Sequence, residues 1–234
     1  MKKILVSNPK KVLIVIAHPD DEGIGAGGTL SLMFKKGYTI SVCLLSSMAR
    51  QRSIRQSDNE LMDDFEQSCK VLGIDKKYIS DFPNIRMNTV PHSDIVKCIE
   101  DAILNSKPNL IFTHYMHDLN IDHRIVSDAT LVASRVFQRK CIKSPIESIF
   151  LYEILSSTDW SHSSSKKFNP DTYVDISDTI EDKIKSIECY KNVLRDAPHP
   201  RSKESIKSLS VLRGSESGLF NAEAFETVFS VFKP

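Results

Sequence analysis

The sequence predicts an α/β protein with a mostly parallel sheet and helices on both faces. Short continuous apolar runs, at residues 12–17 and 109–113, are typical of strands that are buried on both faces. Segments with helical spacing of apolar residues alternate with such runs along the chain. Alternation of strands and helices is typical of parallel sheets, because parallel strands need a crossover connection.

In the first half of the chain, periodicity and glycines set the predicted elements. Leu30, Met33 and Phe34 have helical spacing ahead of Gly37, and a second amphipathic pattern ends at Gly73. The predicted elements are a strand at 12–17, a helix at 21–36, a strand at 38–45, a polar and basic loop at 46–57, a helix at 58–72, an extended piece at 78–82 and a helix at 93–104.

The second half continues the alternation. Pro108 opens the next apolar run, and Gly214 ends the last predicted helix. The predicted elements are a strand at 109–113, a helix at 125–137, a strand at 149–155, helices at 178–194 and 203–212, and a mixed segment at 222–228. No repeat, low-complexity tract or linker interrupts the sequence, so we expect one domain over residues 1–234.

Composition narrows the class of protein. The 31 Lys and Arg residues balance 30 Asp and Glu residues, which argues against a nucleic-acid-binding surface. The five cysteines are far apart and odd in number, as expected for reduced, mostly structural thiols in a reducing compartment. Apolar runs are too short for a signal peptide or a membrane span. We expect a soluble cytoplasmic protein, for which peripheral membrane association stays open; the oligomeric state is not readable.

A polar cluster follows the first predicted strand. His18, Asp20, Asp21 and Glu22 lie at its carboxyl end, where open α/β sheets bind ligands. Four ionisable groups crowded together there need compensation, and a divalent metal ion is the simplest form of it. The alternative is that Asp21 and Glu22 only cap the following helix.

Residues 23–28 match the G-x-G-x-x-G dinucleotide fingerprint letter for letter. That motif needs its first glycine directly after the strand and an acidic residue at the end of the second strand. Here residues 18–22 intervene, and the second strand is followed by Ser46, Ser47 and Met48. We therefore expect these glycines to allow close packing of the helix, or to leave room for a ligand, and we expect no nicotinamide cofactor.

A second polar cluster, residues 114–124, follows the strand at 109–113. A catalytic zinc ion takes about three protein ligands and keeps an open position. His18 and Asp21 can bind one ion from a single turn, and His123 is our choice for the third ligand, with His114 and His117 as alternatives. The same donors also accept iron, manganese or cobalt.

Two carboxylates remain beside this predicted metal site. Asp20 can act as general base towards a water molecule whose pKa a metal lowers to about 7. Asp122 can orient a histidine ligand from behind. These roles predict metal-assisted hydrolysis of an amide or an ester.

At these residues the chain resembles a known family. The run AHPDDE at 17–22 and the run DLNIDHR at 118–124 are similar to the two motifs of the PIG-L (LmbE-like) zinc-dependent de-N-acetylases. The resemblance implies a single Rossmann-like domain that removes the acetyl group from an N-acetylglucosamine unit, as a small molecule or a glycoconjugate. It also implies His18, Asp21 and His123 as zinc ligands and Asp20 as the base.

The chain departs from the family motif at one position. Asn120 stands where better-known members have a histidine that supports the tetrahedral intermediate and protonates the leaving amine. Asn120 can donate a hydrogen bond to an oxyanion but cannot supply a proton near neutral pH. We expect His199, His114 or His117 to take the acid role; alternatively, His199 is only a loop residue between two prolines.

Candidate substrate contacts complete the prediction. They are Arg50, Arg52, Arg55, Asp118 and Arg201. The first three suit an anionic group such as a phosphate or a uronate, although solvated arginines on a loop explain them equally well. The alternative functions are hydrolysis of another small amide or ester, and non-catalytic binding of a sugar or a metal.

Overall fold

A computed structural model describes residues 10–48, 57–162 and 166–231 of the chain. In this part a seven-stranded sheet has the order β3-β2-β1-β4-β5-β7-β6. Its strands are β1 (Lys11–Ile16), β2 (Thr39–Leu44), β3 (Ile74–Ile79), β4 (Leu110–His114), β5 (Ser148–Tyr152), β6 (Thr172–Asp175) and β7 (Ala222–Ser230). The helices are α1 (Asp21–Lys35), α2 (Asp58–Leu72), α3 (His92–Ser106), α4 (Ile121–Ala133), α5 (Val136–Arg139), α6 (Ile180–Glu188) and α7 (Lys203–Ser217).

Strand pairing confirms the predicted architecture. The strands β3, β2, β1, β4 and β5 pair in parallel, and only β7 runs antiparallel to its neighbours β5 and β6. As expected for a strand buried on both faces, Ile14 of β1 belongs to one apolar core while its neighbours Leu13 and Val15 belong to the other. Helices α1, α2 and α6 contribute to the core that contains Ile14, which is called the first core. Helices α3 and α4 contribute to the second core, which contains Leu13 and Val15.

Several predicted bounds differ from the observed ones. Strand β3 begins four residues before the predicted extended piece at 78–82; its sequence is polar because it lies at the edge of the sheet and is half exposed. Helix α4 begins at Ile121 rather than at 125 and ends at Ala133, and α6 ends at Glu188 rather than at 194. Helix α7 continues through Gly214 to Ser217, because the left-handed residue that ends it is Gly218, with a φ of 75°. Gly214 is instead a site of close packing, where a Cβ would lie 2.6 Å from the carbonyl oxygen of Leu219.

The end of the chain contains the largest difference from prediction. The segment predicted as mixed at 222–228 is the nine-residue strand β7, and the short strand β6 was not predicted. Strand β7 lies between β5 and β6, so its hydrogen bonds come from segments that are far away in the sequence. No local pattern reports such pairing.

Helix α1 is broken at Ala26, whose φ of −144° and ψ of 19° are not helical. The glycines around the break permit close packing, as the sequence predicted: a Cβ on Gly25 would collide with the ring of Tyr152, and one on Gly28 would lie 2.9 Å from Ile176. The G-x-G-x-x-G run therefore serves packing between α1 and its neighbours. No helix of the described residues has the length and apolarity to cross a bilayer.

Candidate metal centre

The carboxyl ends of β1 and β4 lie side by side in the sheet and carry the two polar clusters. One nitrogen or oxygen atom from each of His18, Asp21 and His123 lies within 4.8 Å of the other two. All three side chains are buried, with at most 6% of each residue exposed. The structure thus brings together the three residues that the sequence nominated as metal ligands.

Asp21 lies between the two imidazoles. Its Oδ2 atom is 3.6 Å from Nδ1 of His18, and its Oδ1 atom is 3.5 Å from Nε2 of His123. The main-chain N–H of His18 donates a hydrogen bond of 2.8 Å to Oδ2 of Asp21, which ties the strand end to the first turn of α1. One cation between these atoms would have one carboxylate and two imidazole ligands.

A second carboxylate lies behind each imidazole. Nε2 of His18 is hydrogen-bonded to Oδ2 of Asp122 at 3.0 Å, so Asp122 is placed to orient His18. Asp122 also accepts the main-chain N–H groups of Ile85 at 2.6 Å and Met87 at 3.1 Å. Metal-binding histidines usually have this kind of partner on their other nitrogen, because it fixes the tautomer and the ring orientation.

Asp118 is the carboxylate behind His123. Its Oδ1 atom is 3.2 Å from Nδ1 of His123, off the line of a good hydrogen bond, so the contact is chiefly an ion pair. Asp118 is 1% exposed and accepts hydrogen bonds from the hydroxyls of Ser157 and Thr158. The sequence predicted a substrate contact for Asp118, and that stays a prediction; the structure shows Asp118 buried behind His123, in a position that can orient the imidazole.

Three histidines were considered for the general acid, namely His114, His117 and His199. The most buried of them is His114. Its ring stacks on His123 at 4.0 Å, and its Nε2 atom accepts the main-chain N–H of Ala17 at 3.0 Å. Burial, together with the charge of His123, holds the pKa of His114 well below its usual value. The lowered pKa and the contact at Nε2 both argue against His114 as the general acid. His117 is half-buried against the ring of Tyr115.

The shifted pKa values of the side chains in this cluster favour the binding of a cation. Burial lowers the pKa of His123, but the charge of Asp21 and the contact with Asp118 outweigh it and raise that pKa to about 10. Burial likewise opposes charge on His18, whose pKa is nevertheless raised by Asp122 and Asp21. Despite burial, the histidines lower the pKa of Asp21 well below its usual value. The cluster thus retains protons where a divalent ion would supply positive charge, and its donors fit the three-ligand set of catalytic zinc.

Asp20 directly precedes the donor Asp21 in the chain and is not itself one of the three donors. Its backbone has a φ of 101°, a left-handed conformation that is strained for a residue with a Cβ. Oδ2 of Asp20 is 3.3 Å from Nη1 of Arg201. Nε of Arg201 donates to Oγ of Ser156 at 2.7 Å, so the arginine is held at both ends. Arg201, predicted as a substrate contact, therefore also positions Asp20.

The fourth residue of the first cluster, Glu22, is turned away from the three donors. It accepts hydrogen bonds from the hydroxyls of Ser68 at 2.6 Å and Tyr190 at 2.5 Å. Burial raises the pKa of Glu22 to about 7 even though both hydrogen bonds oppose the shift. Glu22 anchors α1 to α2 and to the segment after α6.

The remaining predicted site residues lie around the centre. Asn120 caps α4, and its Oδ1 atom accepts the main-chain N–H of Asp122 at 2.9 Å. His199 is exposed, and its Nδ1 atom accepts the main-chain N–H of Arg201 at 3.0 Å. Arg50, Arg52 and Arg55 lie outside the described residues.

Sequence reasoning missed the residues that support the site from a distance. Ser157 and Thr158 hold Asp118, and Ser156 holds Arg201. All three follow β5, whose carboxyl end lies beside that of β4. The serine-rich stretch after this strand was visible in the sequence, but nothing local linked it to Asp118.

Several known proteins are similar to this chain in sequence or in structure. Diacetylchitobiose deacetylase of Thermococcus kodakarensis is 22% identical over 237 residues, covering 95% of this chain and 85% of that protein. The structure of N,N'-diacetylchitobiose deacetylase from Pyrococcus horikoshii matches with a TM-score of 0.75 and 20% identity, over 94% of this chain and 84% of that one. The structure of GalB, a 4-carboxy-2-hydroxymuconate hydratase from Pseudomonas putida KT2440, matches with a TM-score of 0.74 and 19% identity, over 96% and 98% of the two chains. At these identities the structural likeness shows a shared fold.

The family comparison is more specific. The family model described as PIG-L, GlcNAc-PI de-N-acetylase, matches residues 13–134. That region contains β1, β4 and all three donors of the candidate metal centre. The chain belongs to the PIG-L family.

Proposed function

We propose that this protein is a zinc-dependent hydrolase that removes the N-acetyl group from an N-acetylglucosamine-type amino sugar or glycoconjugate. The observation that carries the proposal is the donor set of His18, Asp21 and His123, in which each imidazole has a carboxylate behind it. A hydrolase needs an additional base next to the metal, and we assign this role to Asp20, which directly precedes the donor Asp21 in the chain and is not one of the donors. The deacetylases among the relatives support an acetamido sugar as substrate.

When bound, zinc would polarise the acetamide carbonyl and lower the pKa of a water molecule to about 7. Asp20 takes the proton of the attacking water in this proposal. Arg201 keeps the Asp20 carboxylate oriented through the 3.3 Å contact, and the strained backbone at Asp20 supports a functional role. Asp122 orients His18 through a hydrogen bond, and Asp118 lies behind His123 as its ion-pair partner.

Proton delivery to the leaving amine is assigned to His199. To act as the acid, the ring of His199 must carry a proton on both nitrogens, which requires release of the hydrogen bond that Nδ1 accepts from the main-chain N–H of Arg201. His199 lies two residues before Arg201, and the contact of Arg201 with Asp20 supports this assignment. Asn120 offers its amide N–H to the oxyanion. The pH–rate profile of His199→Ala tests this assignment: an unchanged basic limb and rate would remove His199 from the mechanism.

We also propose a domain organisation, contacts for an anionic group and a compartment for this protein. Strands β1 and β7 belong to one sheet, which supports a single domain over residues 1–234. Arg50, Arg52 and Arg55 stay proposed contacts for an anionic group on the substrate. The cysteine pattern supports a reducing, cytoplasmic compartment.

Acetate release is the direct test. The protein is treated with a chelator, reloaded with zinc, iron, manganese or cobalt, and incubated with N,N'-diacetylchitobiose and with acetamido sugars on nucleotide and lipid carriers. We expect metal-dependent acetate release that Asp20→Asn abolishes. Turnover of simple esters or other amides without acetate release from any sugar would favour a different hydrolase, and sugar binding without turnover would overturn catalysis.

A further inference from the structure

The loop after β5, residues 153–162 and here called the β5 loop, contacts neighbours of both halves of the candidate site. On the side of the proposed base, Ser156 accepts a hydrogen bond of 2.7 Å from Arg201, and Arg201 contacts Asp20. On the side of the metal donors, two hydroxyls of the loop donate to the carboxylate of Asp118. The β5 loop therefore forms part of the border of the candidate metal centre.

The far end of the β5 loop is fixed against the second polar cluster. Oγ of Ser161 donates to the main-chain carbonyl oxygen of His117 at 3.0 Å, and Nζ of Lys167 donates to the carbonyl oxygen of Ser161 at 3.0 Å. Within the loop, the main-chain N–H of Trp160 donates to the carbonyl oxygen of Ser157 at 3.3 Å. One turn thus positions Ser157 for its contact behind the donors and Trp160 beside it.

Trp160 differs from its neighbours in exposure. Ser157, Thr158 and Ser161 are at most 9% exposed, whereas Trp160 is 55% exposed. The indole lies against the ring of His162, with 5.6 Å between the ring centroids. A large apolar ring that stays in water on an otherwise buried loop retains the free energy that its burial would release. A ligand with an apolar face would gain that free energy on binding, and aromatic side chains commonly line ligand sites for this reason.

We propose that Trp160 is a substrate-binding residue that stacks on a second sugar ring, linked to the acetamido sugar that reacts; this inference rests on the proposed function. The C–H groups on one face of a pyranose ring make that face apolar, so that it matches the flat face of an indole. Two residues, first Ser157 and then Asp118, lie in the contacts between the Trp160 turn and the donors. The indole is therefore set apart from the reacting acetamide and is placed for the neighbouring unit.

Intrinsic fluorescence tests this contact directly, because Trp160 is the single tryptophan of the chain. Zinc-loaded Asp20→Asn protein, chosen so that the ligand is not consumed, is titrated with N-acetylglucosamine and with N,N'-diacetylchitobiose. We expect the disaccharide to change the tryptophan emission in a saturable way and N-acetylglucosamine to leave it unchanged. An equal response to both sugars, or no response to the disaccharide, would overturn the proposal.

Kinetics of acetate release from N,N'-diacetylchitobiose separate binding from catalysis. Trp160→Ala should raise KM by about 3–10-fold, as expected for loss of one aromatic contact, and leave kcat unchanged. Trp160→Phe should restore most of the affinity, since it keeps an aromatic ring. A lowered kcat with unchanged KM in Trp160→Ala would overturn the binding role.

Phe229→Ala is the matched control. Phe229 is 43% exposed, but it pairs with Ile149 near the start of β5, at the opposite end of that strand from the β5 loop. This variant should keep the KM and kcat of the wild type. A rise in KM equal to that of Trp160→Ala would overturn the assignment, because the effect would then not be specific to the β5 loop.

The two experiments distinguish this inference from the proposed function. A saturable response of the tryptophan emission to the disaccharide, without acetate release from the wild type, would support the stacking role and contradict the hydrolase. Acetate release with a KM that Trp160→Ala does not change would support the hydrolase and overturn the stacking role.

Discussion

Two buried charged clusters flank helix α1, and they balance their charges in different ways. The break cluster, formed by Lys183 and Glu223 at the interruption of α1, is complete within the chain. Lys183 Nζ lies 2.5 Å from Glu223 Oε1 and 2.7 Å from the carbonyl oxygen of Ile24. Glu223 also accepts the main-chain N–H groups of Gly28 and Thr29, which the broken helix leaves without partners.

The candidate metal centre has no lysine or arginine of this kind beside its carboxylates in the described part of the chain. Asp21, Asp118 and Asp122 face imidazoles, and among the described residues no Lys or Arg forms an ion pair with these three carboxylates. The raised pKa values of His18 and His123 favour protonated imidazoles beside these carboxylates, and a cation bound there would replace those protons. The comparison teaches that the carboxylate of the break cluster has its cation within the chain, whereas carboxylates that face only imidazoles form a candidate site for a metal ion.

The largest expected effect is on activity, and it distinguishes the proposed base Asp20 from the proposed metal ligands. Asp20→Asn should lower kcat by about 10²–10⁴-fold, since general-base catalysis contributes that much, while zinc content stays unchanged. Acetate release and metal analysis on the same preparation measure both quantities. His123→Ala is the matched control, because it should lose zinc as well as activity. Loss of zinc from Asp20→Asn would contradict the separation.

A substitution in the break cluster should lower the stability of the protein and leave its affinity for zinc unchanged. Lys183→Met leaves the Glu223 carboxylate buried without its cation, and we expect a loss of about 3–5 kcal/mol in the free energy of unfolding. Denaturant titration measures this loss, with zinc affinity measured in parallel. Lys207→Met breaks an exposed ion pair with Glu181 and should change stability little. A weakened zinc affinity in Lys183→Met would show that the two clusters are not separate.

Glu22 lies between the two clusters along α1 and should give the metal-free protein a pH dependence. Its pKa is raised to about 7 by burial, so between pH 4.5 and 7 the folded state holds a proton that the unfolded state has lost. Stability therefore falls as pH rises through this range, by about 3 kcal/mol for this group. Glu22→Gln should flatten the profile of unfolding free energy against pH by that amount. Parallel profiles for the two proteins would contradict the assignment.

The smallest effect concerns the carboxylates behind the imidazoles. Asp122→Asn keeps the shape of the side chain but removes the charge behind His18, and we expect zinc affinity to fall about 10–100-fold. Competition with a chromogenic chelator measures the affinity. Asp128→Asn, on the same helix but paired with His92 at the surface, is the control and should bind zinc normally. Equal affinities for both variants would remove Asp122 from the site.

Patterns of neighbouring residues in the sequence predicted the elements whose ends or burial depend on those same residues. Helix α2 has the predicted bounds, because Ser57 and Glu60 form a capping box at its start and Gly73 ends it in a left-handed conformation. Strands β1 and β4 were predicted because burial on both faces leaves an uninterrupted apolar run. The break in α1 was not predicted, since Glu223 and Lys183 that stabilise it come from the other end of the chain.

By itself, the sequence determined the alternation that makes a parallel sheet and the identity of the donors, because strand runs, helix ends and polar residues after strand ends are properties of short segments. Only the tertiary structure decided what each donor touches. Asp118 became the partner of His123, His114 became an acceptor for the main-chain N–H of Ala17, and Arg201 came to hold Asp20. Such roles depend on distances between atoms from different strands, and those distances exist only once the core has packed.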